Sequence, residues 1–367
     1  MACGGWRGRR HQGVRATRCE PRRAYERGRE NAKPRCGCWD ALRPPSSPSV
    51  AHGDKDAGIR LGATPPAGGV TYSPAVQAYR TPEKYFAELP GWPYAPRYSE
   101  QDGLRLHYVD EGGGDPVLLL HGEPSWGFLY RRLVPVLTGV ARVVVPDYFG
   151  FGRSDKPLRI EDYTYDLHVR SIDRLVAELE LSRLTVVVQD WGGPIGLRFA
   201  VERPELVDRL VLLNTGVGAG RAPSPEWLRF REFVRRLGTE LVASRLIALS
   251  CVTPPDEDVL AAYDAPFPVP EAKAGMLAFP ELVPTELDHP SADAMLRVRD
   301  ALRGWSKPAL VLFSDSDPIF STVAAEHMAS RIPGAGPAET VVGASHFLQE
   351  EKGEEVAARI VRFLAET

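Results

Sequence analysis

The sequence predicts an α/β fold in which helices cover both faces of a mostly parallel β-sheet. Short segments rich in Val, Leu and Ile alternate with amphipathic helical patterns along most of the chain. Several of these segments, such as "PVLLLHG" and "LTVVVQD", are apolar almost throughout, which is typical of strands buried on both faces. A length of 367 residues suits one large α/β domain that carries an insertion.

Individual strands and helices are predicted from β-branched content, turn-forming residues and periodicity. The predicted strands are 105–112, 116–122, 141–150, 184–190, 209–216, 308–317 and 338–346. The predicted helices outside the insertion are 163–181, 192–205 and 354–366. Because the two kinds of segment alternate, consecutive strands are expected to run in parallel through helical crossovers.

The alternation of strand and helix patterns is interrupted over residues 217–300. Helical stretches and Pro-rich turns such as "YDAPFPVPE" occur there without a convincing buried strand. We interpret this segment as a helical cap inserted into the domain. Residues 76–216 and 301–367 are then the first and second parts of the core that carries the sheet.

Residues 1–75 are predicted to be a disordered N-terminal extension and linker. Residues 1–44 contain eleven Arg, one Lys and four acidic residues, a net charge of +8, and residues 44–75 are rich in Pro, Gly and Ser. No apolar segment follows the arginines, which disfavours a secretory signal. A translation start downstream of Met1 is an alternative explanation of this segment.

Overall composition excludes several classes of protein. A net charge of −3 gives no support for a nucleic-acid partner, and no apolar run is long enough to span a membrane. Cys251 is the only cysteine after residue 44, so the core cannot contain an internal disulfide. We therefore expect a cytoplasmic protein.

The segment "VVVQDWGGPIG" indicates a nucleophile at the end of a strand. Val188-x-Asp190-x-Gly192 matches the sharp strand-to-helix turn that exposes a nucleophile, with Val in place of the first small residue. The helix that begins near Gly193 points its N–H groups toward the acid and favours the carboxylate.

Two later segments supply partners for Asp190. "GASHF" places His346 after the last predicted strand, and "SDSDPIF" places Asp315 and Asp317 after the preceding one. We expect Asp317, rather than Asp315, to orient the histidine. The order acid, acid, histidine is that of the α/β-hydrolase fold with Asp replacing Ser. The segment His121-Gly122-Glu123-Pro124, at the end of an early strand, lies where such folds supply a second backbone N–H.

A carboxylate nucleophile suits attack on a saturated carbon. A serine would form an ether, which water and imidazole cannot readily cleave. A carboxylate forms an ester, which a histidine-activated water hydrolyses through a tetrahedral intermediate. Displacement of a leaving group from an sp³ carbon, or the opening of an epoxide, is therefore the expected chemistry.

From about Val76 to the C-terminus, the chain resembles the haloalkane dehalogenases, in particular the subfamily with an "HGEP" motif. The matching motifs, in family order, are "HGEPSW", "PDYFGFGRSDKP", "VQDWGGPIGLR", "YDAPFP", "DPIF" and "ASHFLQEE". The resemblance implies an α/β-hydrolase core with a helical cap, a halogenated hydrocarbon and water as substrates, and a halide product. It implies no cofactor and no metal, and it leaves open whether the chain is a monomer or a dimer.

The resemblance also assigns roles. Asp190 would attack the carbon that bears the halogen, His346 would activate water, and Asp317 would orient His346. Halide would be bound by the indole N–H groups of Trp191 and of the only tryptophan in the cap, Trp227. The residues contributing the backbone N–H groups of the oxyanion hole would be Glu123 and Trp191.

Two alternatives share the fold. An epoxide hydrolase would use the same Asp and His, but usually needs two cap tyrosines, and Tyr263 is the only tyrosine in residues 217–300. Related epoxide hydrolases also tend to carry His where this chain has Gln189. A non-catalytic receptor for a small ligand would not need a complete set of nucleophile, base and acid. Both alternatives are therefore less favoured.

Overall fold

A computed structural model describes residues 76–220 and 223–367 of the chain. The predicted extension over residues 1–75 lies outside the described residues. The strands are β1 (Ala78–Tyr79), β2 (Arg97–Gln101), β3 (Leu104–Gly112), β4 (Pro116–Leu120), β5 (Arg142–Pro146), β6 (Lys156–Pro157), β7 (Leu184–Gln189), β8 (Val207–Leu213), β9 (Ala309–Ser314) and β10 (Glu339–Val341).

Eight strands form one sheet in the order β10-β9-β8-β7-β4-β5-β3-β2. The pairs from β10 to β5 are parallel, while β3 pairs antiparallel with both β5 and β2. The central strand β4 lies between β5 and β7. The next strand along the chain, β5, is added on one side of β4, and the later strand β7 is added on the other side. The carboxyl ends of β4 and β7 are therefore neighbours at the point where an open α/β sheet forms its binding crevice.

The α-helices outside the region 217–300 are α1 (Val134–Leu137), α2 (Tyr165–Glu178), α3 (Gly192–Glu202), α9 (Thr322–Ala329), α10 (Leu348–Glu351) and α11 (Gly353–Glu366). Within it lie α4 (Pro225–Leu237), α5 (Ala243–Leu249), α6 (Glu257–Asp264) and α7 (Ala274–Ala278), and α8 (Ala292–Ala301) extends just past its end. In the described part of this region no strand occurs, and its regular elements are helices. Helix α8 packs against α3 of the core.

The core sits on both faces of the central strands. All five residues of β4 and all six of β7 are buried, which explains their continuous apolar sequences. Helix α2 begins where the Thr164 hydroxyl accepts a hydrogen bond from the Leu167 N–H at 3.0 Å. Among the helices of the described ranges, none has the length and apolar character that crossing a bilayer requires.

The last two strands are shorter than the sequence predicts. The predicted strand 338–346 is a strand only over Glu339–Val341, and the predicted strand 308–317 ends at Ser314. Gly343 adopts a positive φ of 73°, and the chain turns away from the sheet there. The Ser316 N–H then donates to the Ala344 carbonyl at 3.1 Å, so the two loops that follow these strands are joined to each other. This brings the segments around Asp317 and His346 together.

Candidate active site

Asp190 lies in a tight turn between β7 and α3. Its φ is +47°, a left-handed conformation that is uncommon for residues other than glycine. The turn is closely packed, because a Cβ added at Gly192 would lie 2.1 Å from the Leu120 carbonyl oxygen. A Cβ at Gly122 would lie 2.3 Å from Asp190 Oδ1, so the loop after β4 also needs glycine. The backbone strain and close packing indicate a position held for function.

The Asp190 carboxylate is held by backbone donors from two strand ends. Its Oδ1 accepts a hydrogen bond from the Glu123 N–H at 2.9 Å, and the Trp191 N–H also donates to the carboxylate. Burial raises the pKa of Asp190, while nearby His346 and the two N–H donors oppose the rise without cancelling it. The same two donors can hold a negative oxygen that develops on this carboxyl group.

His346 lies beside Asp190 and is oriented by Asp317. Its Nε2 is 3.7 Å from Asp190 Oδ2, and its Nδ1 is 2.9 Å from Asp317 Oδ2. The other oxygen of Asp317 accepts from the N–H groups of Ile319 at 2.7 Å and Phe320 at 3.1 Å. The Asp317 side chain is 0% exposed, so its carboxylate is held in a fixed position against His346 Nδ1.

Asp315 is turned away from this site. It is exposed, and its Oδ1 accepts from the Gly343 N–H at 3.0 Å in the neighbouring turn. The structure therefore brings Asp317, and not Asp315, against His346.

The environment of His346 acts on its pKa in opposite directions. Burial lowers it, but the Asp317 charge and hydrogen bond and the Asp190 charge together raise the pKa above its usual value. The backbone N–H of His346 donates to the Ser250 carbonyl at 3.0 Å, and the Phe320 ring stacks on the imidazole at a centroid distance of 5.9 Å. The backbone of His346 is thus held by the region 217–300, while its ring packs against Phe320.

The loop after β4 is held by a neutral histidine. His121 Nδ1 lies 3.0 Å from the Gly122 carbonyl, and its Nε2 accepts from the Tyr148 N–H at 3.1 Å. Since Nε2 accepts, Nδ1 carries the proton and donates it. Burial lowers the pKa of His121, which agrees with the neutral form. This histidine holds the loop that presents the Glu123 N–H, and it does not touch Asp190.

Trp191 and Trp227 line the same small cavity as Asp190 and His346. The cavity has a volume of about 60 Å³. Trp191 is 6% exposed and packs edge-on against Phe279 at a centroid distance of 5.2 Å. Trp227 lies on α4, where the Arg231 guanidinium is 4.8 Å from the centre of its ring. The remaining lining residues are Glu123, Pro124, Phe230, Leu246, Ser250, Pro280, Pro318, Ile319 and Phe347.

A wider groove of about 660 Å³ also reaches Asp190, Trp191 and Trp227. It runs between the loop after β8, the region that contains α4 and α8, and helix α9. The two spaces thus share Asp190 and both tryptophans in their lining.

Sequence reasoning missed the role of Asn214, which follows β8. Its backbone carbonyl accepts from the Asp190 N–H at 3.1 Å, and its Nδ2 donates to the carbonyls of Ser345 at 2.9 Å and His346 at 3.2 Å. Asn214 therefore ties the nucleophile turn to the histidine loop. The signal in the sequence was a polar residue directly after the apolar run "RLVLL".

The Glu123 side chain was also missed, since only its backbone was assigned a role. It is 6% exposed, and burial together with the Asp190 charge raises its pKa well above the usual value. The raised pKa favours the uncharged form of Glu123, which would add no second negative charge beside the nucleophile. In the part of the chain that the structure describes, no three His, Cys, Asp or Glu side chains are grouped as metal ligands would be.

Comparison with known proteins identifies the fold family and the relatives of the chain. Residues 115–243 match the family model of the alpha/beta hydrolase fold. The chain is 43% identical over 291 residues to a haloalkane dehalogenase of Mycobacterium marinum, covering 77% of this chain and 98% of that protein. It is 41% identical over 297 residues to a haloalkane dehalogenase of Psychrobacter cryohalolentis, covering 78% and 97%.

Solved structures agree as well. The haloalkane dehalogenase DpaA of Paraglaciecola agarilytica superimposes with a TM-score of 0.74 at 34% identity, covering 77% of this chain and 97% of that chain. The haloalkane dehalogenase DatA of Agrobacterium tumefaciens superimposes with a TM-score of 0.68 at 25% identity, covering 78% and 99%. The chain therefore belongs to the haloalkane dehalogenases, hydrolases that act on carbon–halide bonds.

Proposed function

We propose that this protein hydrolyses haloalkanes to an alcohol and a halide through an alkyl ester on Asp190. The observation that carries the proposal is the position of the Asp190 carboxylate. One oxygen accepts the Glu123 N–H at 2.9 Å, and the other faces His346 Nε2 at 3.7 Å beside a cavity lined by two tryptophans. A nucleophile, a base, oxyanion donors and donors for a leaving halide thus share one site.

In the first step, Asp190 Oδ2 attacks the carbon that bears the halogen. The new carbon–oxygen bond forms as the carbon–halogen bond breaks, and the halide leaves with the bonding electrons. Oδ1 becomes the carbonyl oxygen of the ester and is already bonded to the Glu123 N–H. This hydrogen bond polarises the ester carbonyl and so favours attack by water in the second step.

In the second step, His346 takes a proton from water as the oxygen of that water attacks the ester carbonyl carbon. The N–H groups of Glu123 and Trp191 stabilise the oxyanion that forms on Oδ1. When the intermediate collapses, the alcohol leaves with a proton from His346 and the carboxylate is restored. Asp317, bonded to Nδ1 at 2.9 Å, keeps the Nε2 lone pair available and stabilises the imidazolium.

The halide site is assigned to the indole N–H groups of Trp191 and Trp227, which makes this chain a member of the two-tryptophan, "HGEP" subfamily. Both rings line the cavity beside Asp190. An indole N–H stabilises an anion without supplying a labile proton or a fixed positive charge. A fixed cation would retain the halide and slow its release. Residues 217–300 act as the cap in this proposal.

The activity is tested by measuring halide release from dibromoethane and bromobutane alongside hydrolysis of styrene oxide. We expect halide from the bromoalkanes. Diol from the epoxide with no halide from any haloalkane would reverse the assignment. The only cap tyrosine, Tyr263, is fully buried and donates its hydroxyl to Glu350 at 2.7 Å, so it is not available to protonate an epoxide.

We also propose a cytoplasmic location, because Cys251 has no partner cysteine after residue 44.

Asp317→Asn should lower the rate of ester hydrolysis by about 10²- to 10⁴-fold. The Asn oxygen would keep the N–H donors of Ile319 and Phe320, so its NH₂ group would face His346 Nδ1. That contact favours the tautomer with the proton on Nε2, which cannot accept a proton from water. The matched control is Asp315→Asn, which should change the rate by no more than about twofold. Equal losses in both variants, measured by halide and alcohol release, would contradict the assignment.

Trp227→Phe should weaken bromide binding by about 10- to 100-fold, because it removes one hydrogen bond to an anion, worth about 1.5–3 kcal/mol. Bromide affinity is measured by calorimetric titration of the resting enzyme. Trp305→Phe is the control, since it makes the same change at a tryptophan that lines neither cavity. An unchanged bromide affinity in Trp227→Phe would show that Trp227 is not the second halide donor.

A further inference from the structure

Gln189 is a residue of the nucleophile turn for which the proposed reaction has no role. Its side chain is 0% exposed at the end of β7 and lies beside His346. Its Nε2 is 3.2 Å from His346 Nε2 and 3.3 Å from the His346 carbonyl oxygen. One amide nitrogen therefore contacts both the ring and the backbone of the proposed base.

The His346 carbonyl determines which way the Gln189 amide faces. A carbonyl oxygen only accepts hydrogen bonds, so it requires the NH₂ group of Gln189 on its side. The opposite orientation would place Oε1 against that oxygen, with two acceptors in contact. The observed orientation leaves Gln189 Oε1 buried with no hydrogen-bond partner among the described residues. The donors are thus directed at His346 even though the amide oxygen is left unsatisfied.

A donor at His346 Nε2 distinguishes the two protonation states of the imidazole. In the neutral ring, Nδ1 donates its proton to Asp317 at 2.9 Å and Nε2 offers a lone pair to Gln189. In the imidazolium, Nε2 also carries a hydrogen and would face the N–H groups of Gln189. Gln189 therefore stabilises the neutral form relative to the charged form.

We propose that Gln189 is a positioning residue that holds His346 as the neutral tautomer with its proton on Nδ1 in the resting enzyme, and that the hydrolytic water replaces the Gln189 donor at the Nε2 lone pair before it transfers its proton. The inference rests on the proposed function, because it takes His346 as the base of ester hydrolysis. It predicts that ester hydrolysis continues at lower pH than the carboxylates around His346 would otherwise allow.

The charged groups at the ring itself favour the opposite state. Asp317 is bonded to Nδ1, and Asp190 lies 3.7 Å from Nε2, so both stabilise the imidazolium. Glu123 also lines the small cavity, and burial together with the Asp190 charge raises its pKa and so favours its uncharged form. Gln189 is the neutral group that opposes the two aspartates from the β7 side.

The elements on the other sides of His346 carry groups with partners of their own. On α10, Glu350 is paired with Arg131, and Glu351 accepts the Ser345 N–H at 2.7 Å. Beyond α5, burial raises the pKa of the Cys251 thiol, so it stays uncharged. Loss of the Gln189 donors should therefore let the aspartates raise the pKa of His346 further.

The direct test is the pKa of His346 in the resting enzyme, measured by NMR titration of its ring nitrogens without substrate. Gln189→Met removes both donors while keeping the length of the side chain, and should raise the pKa of His346 by about one unit. Gln189→Glu places an acceptor there and should raise it more. If the Glu variant does not fold, the Met variant decides.

The kinetic test separates the two chemical steps. In single-turnover experiments, Gln189→Met should leave the rate of halide release within about twofold. As the pH is lowered, ester hydrolysis in this variant should begin to slow at a higher pH than in the wild type. On the acidic side of the pH profile it should be about tenfold slower than in the wild type. The matched control is Gln101→Met, because Gln101 is a buried glutamine whose amide bonds to Ser99 and Ser171, away from the site.

The outcomes are distinct. An unchanged pKa of His346 in Gln189→Met, with ester hydrolysis slowed equally at every pH, would show a packing role and overturn the inference. An upward shift in Gln189→Met that is absent in Gln101→Met supports it. If the wild-type protein releases no halide, the proposed function fails, while the NMR titration still decides whether Gln189 sets the protonation of His346.

Discussion

His346→Phe should release one halide per protein molecule in a rapid first step and then stall. The variant keeps Asp190, so the ester forms, but it has lost the group that takes a proton from water. General-base catalysis contributes about 10²- to 10⁴-fold, and steady-state turnover should fall by that factor. The measurement is rapid-mixing halide release at saturating dibromoethane, followed by the mass of the peptide that contains Asp190.

Phe is a suitable replacement because His346 is only 9% exposed and packs among the aromatic rings of Phe320 and Phe347. The control is His289→Phe, which removes a histidine that bonds the Glu281 carbonyl and lines neither cavity. That variant should turn over normally. Finding the unmodified mass on the Asp190 peptide of His346→Phe under saturating substrate would count against a covalent intermediate.

Asp190→Asn should abolish the first step and release no halide, even in a single turnover. An amide is a poor nucleophile, and loss of the attacking group is expected to cost on the order of 10⁴-fold or more. Asn is the appropriate replacement because it tolerates the left-handed backbone that Asp190 adopts at a φ of +47°. The measurement is halide release over one turnover.

The contrast between these two variants identifies the step that each residue serves. Both should still bind bromide, since Trp191 and Trp227 are intact in each, and bromide binding therefore shows that the site has folded. Halide release from Asp190→Asn at a rate close to that of the wild type would mean that another group, or water itself, attacks the substrate carbon.

Much of this arrangement could be predicted from the sequence because it depends on local signals. Asp190 directly follows a continuous apolar strand and precedes glycines. The segments of His346 and Asp317 follow the last two strands, so a parallel sheet places all three at one edge. The structure brings them together with His346 Nε2 at 3.7 Å from Asp190 and Nδ1 at 2.9 Å from Asp317.

Contacts between distant segments could not be predicted in this way. Gln189 lies inside the predicted strand 184–190, and its contact with His346 spans 157 residues of sequence. Asn214 contacts His346 across 132 residues, and neither pair shows a local motif. Both contacts depend on how closely the loops after β7, β8 and β10 pack against one another.

The sequence could not show either which apolar residues of the proposed cap line the pocket. An apolar residue on a cap helix has the same pattern whether it faces the core or the pocket. In the structure, Phe230 and Leu246 line the small cavity, whereas Phe267 packs edge-on against Phe151 of the core at a centroid distance of 6.2 Å. Only the packing of the helices separates these two environments.

The central claim is that the oxygen of the product alcohol comes from Asp190 and not directly from water. It is tested by one turnover of the wild-type enzyme, in excess over bromobutane, in water labelled with the heavy oxygen isotope. Hydrolysis at the ester carbonyl predicts an unlabelled alcohol and one labelled oxygen in the peptide that contains Asp190. A labelled alcohol with an unlabelled Asp190 peptide would show that water attacks the substrate carbon directly, and would contradict the account.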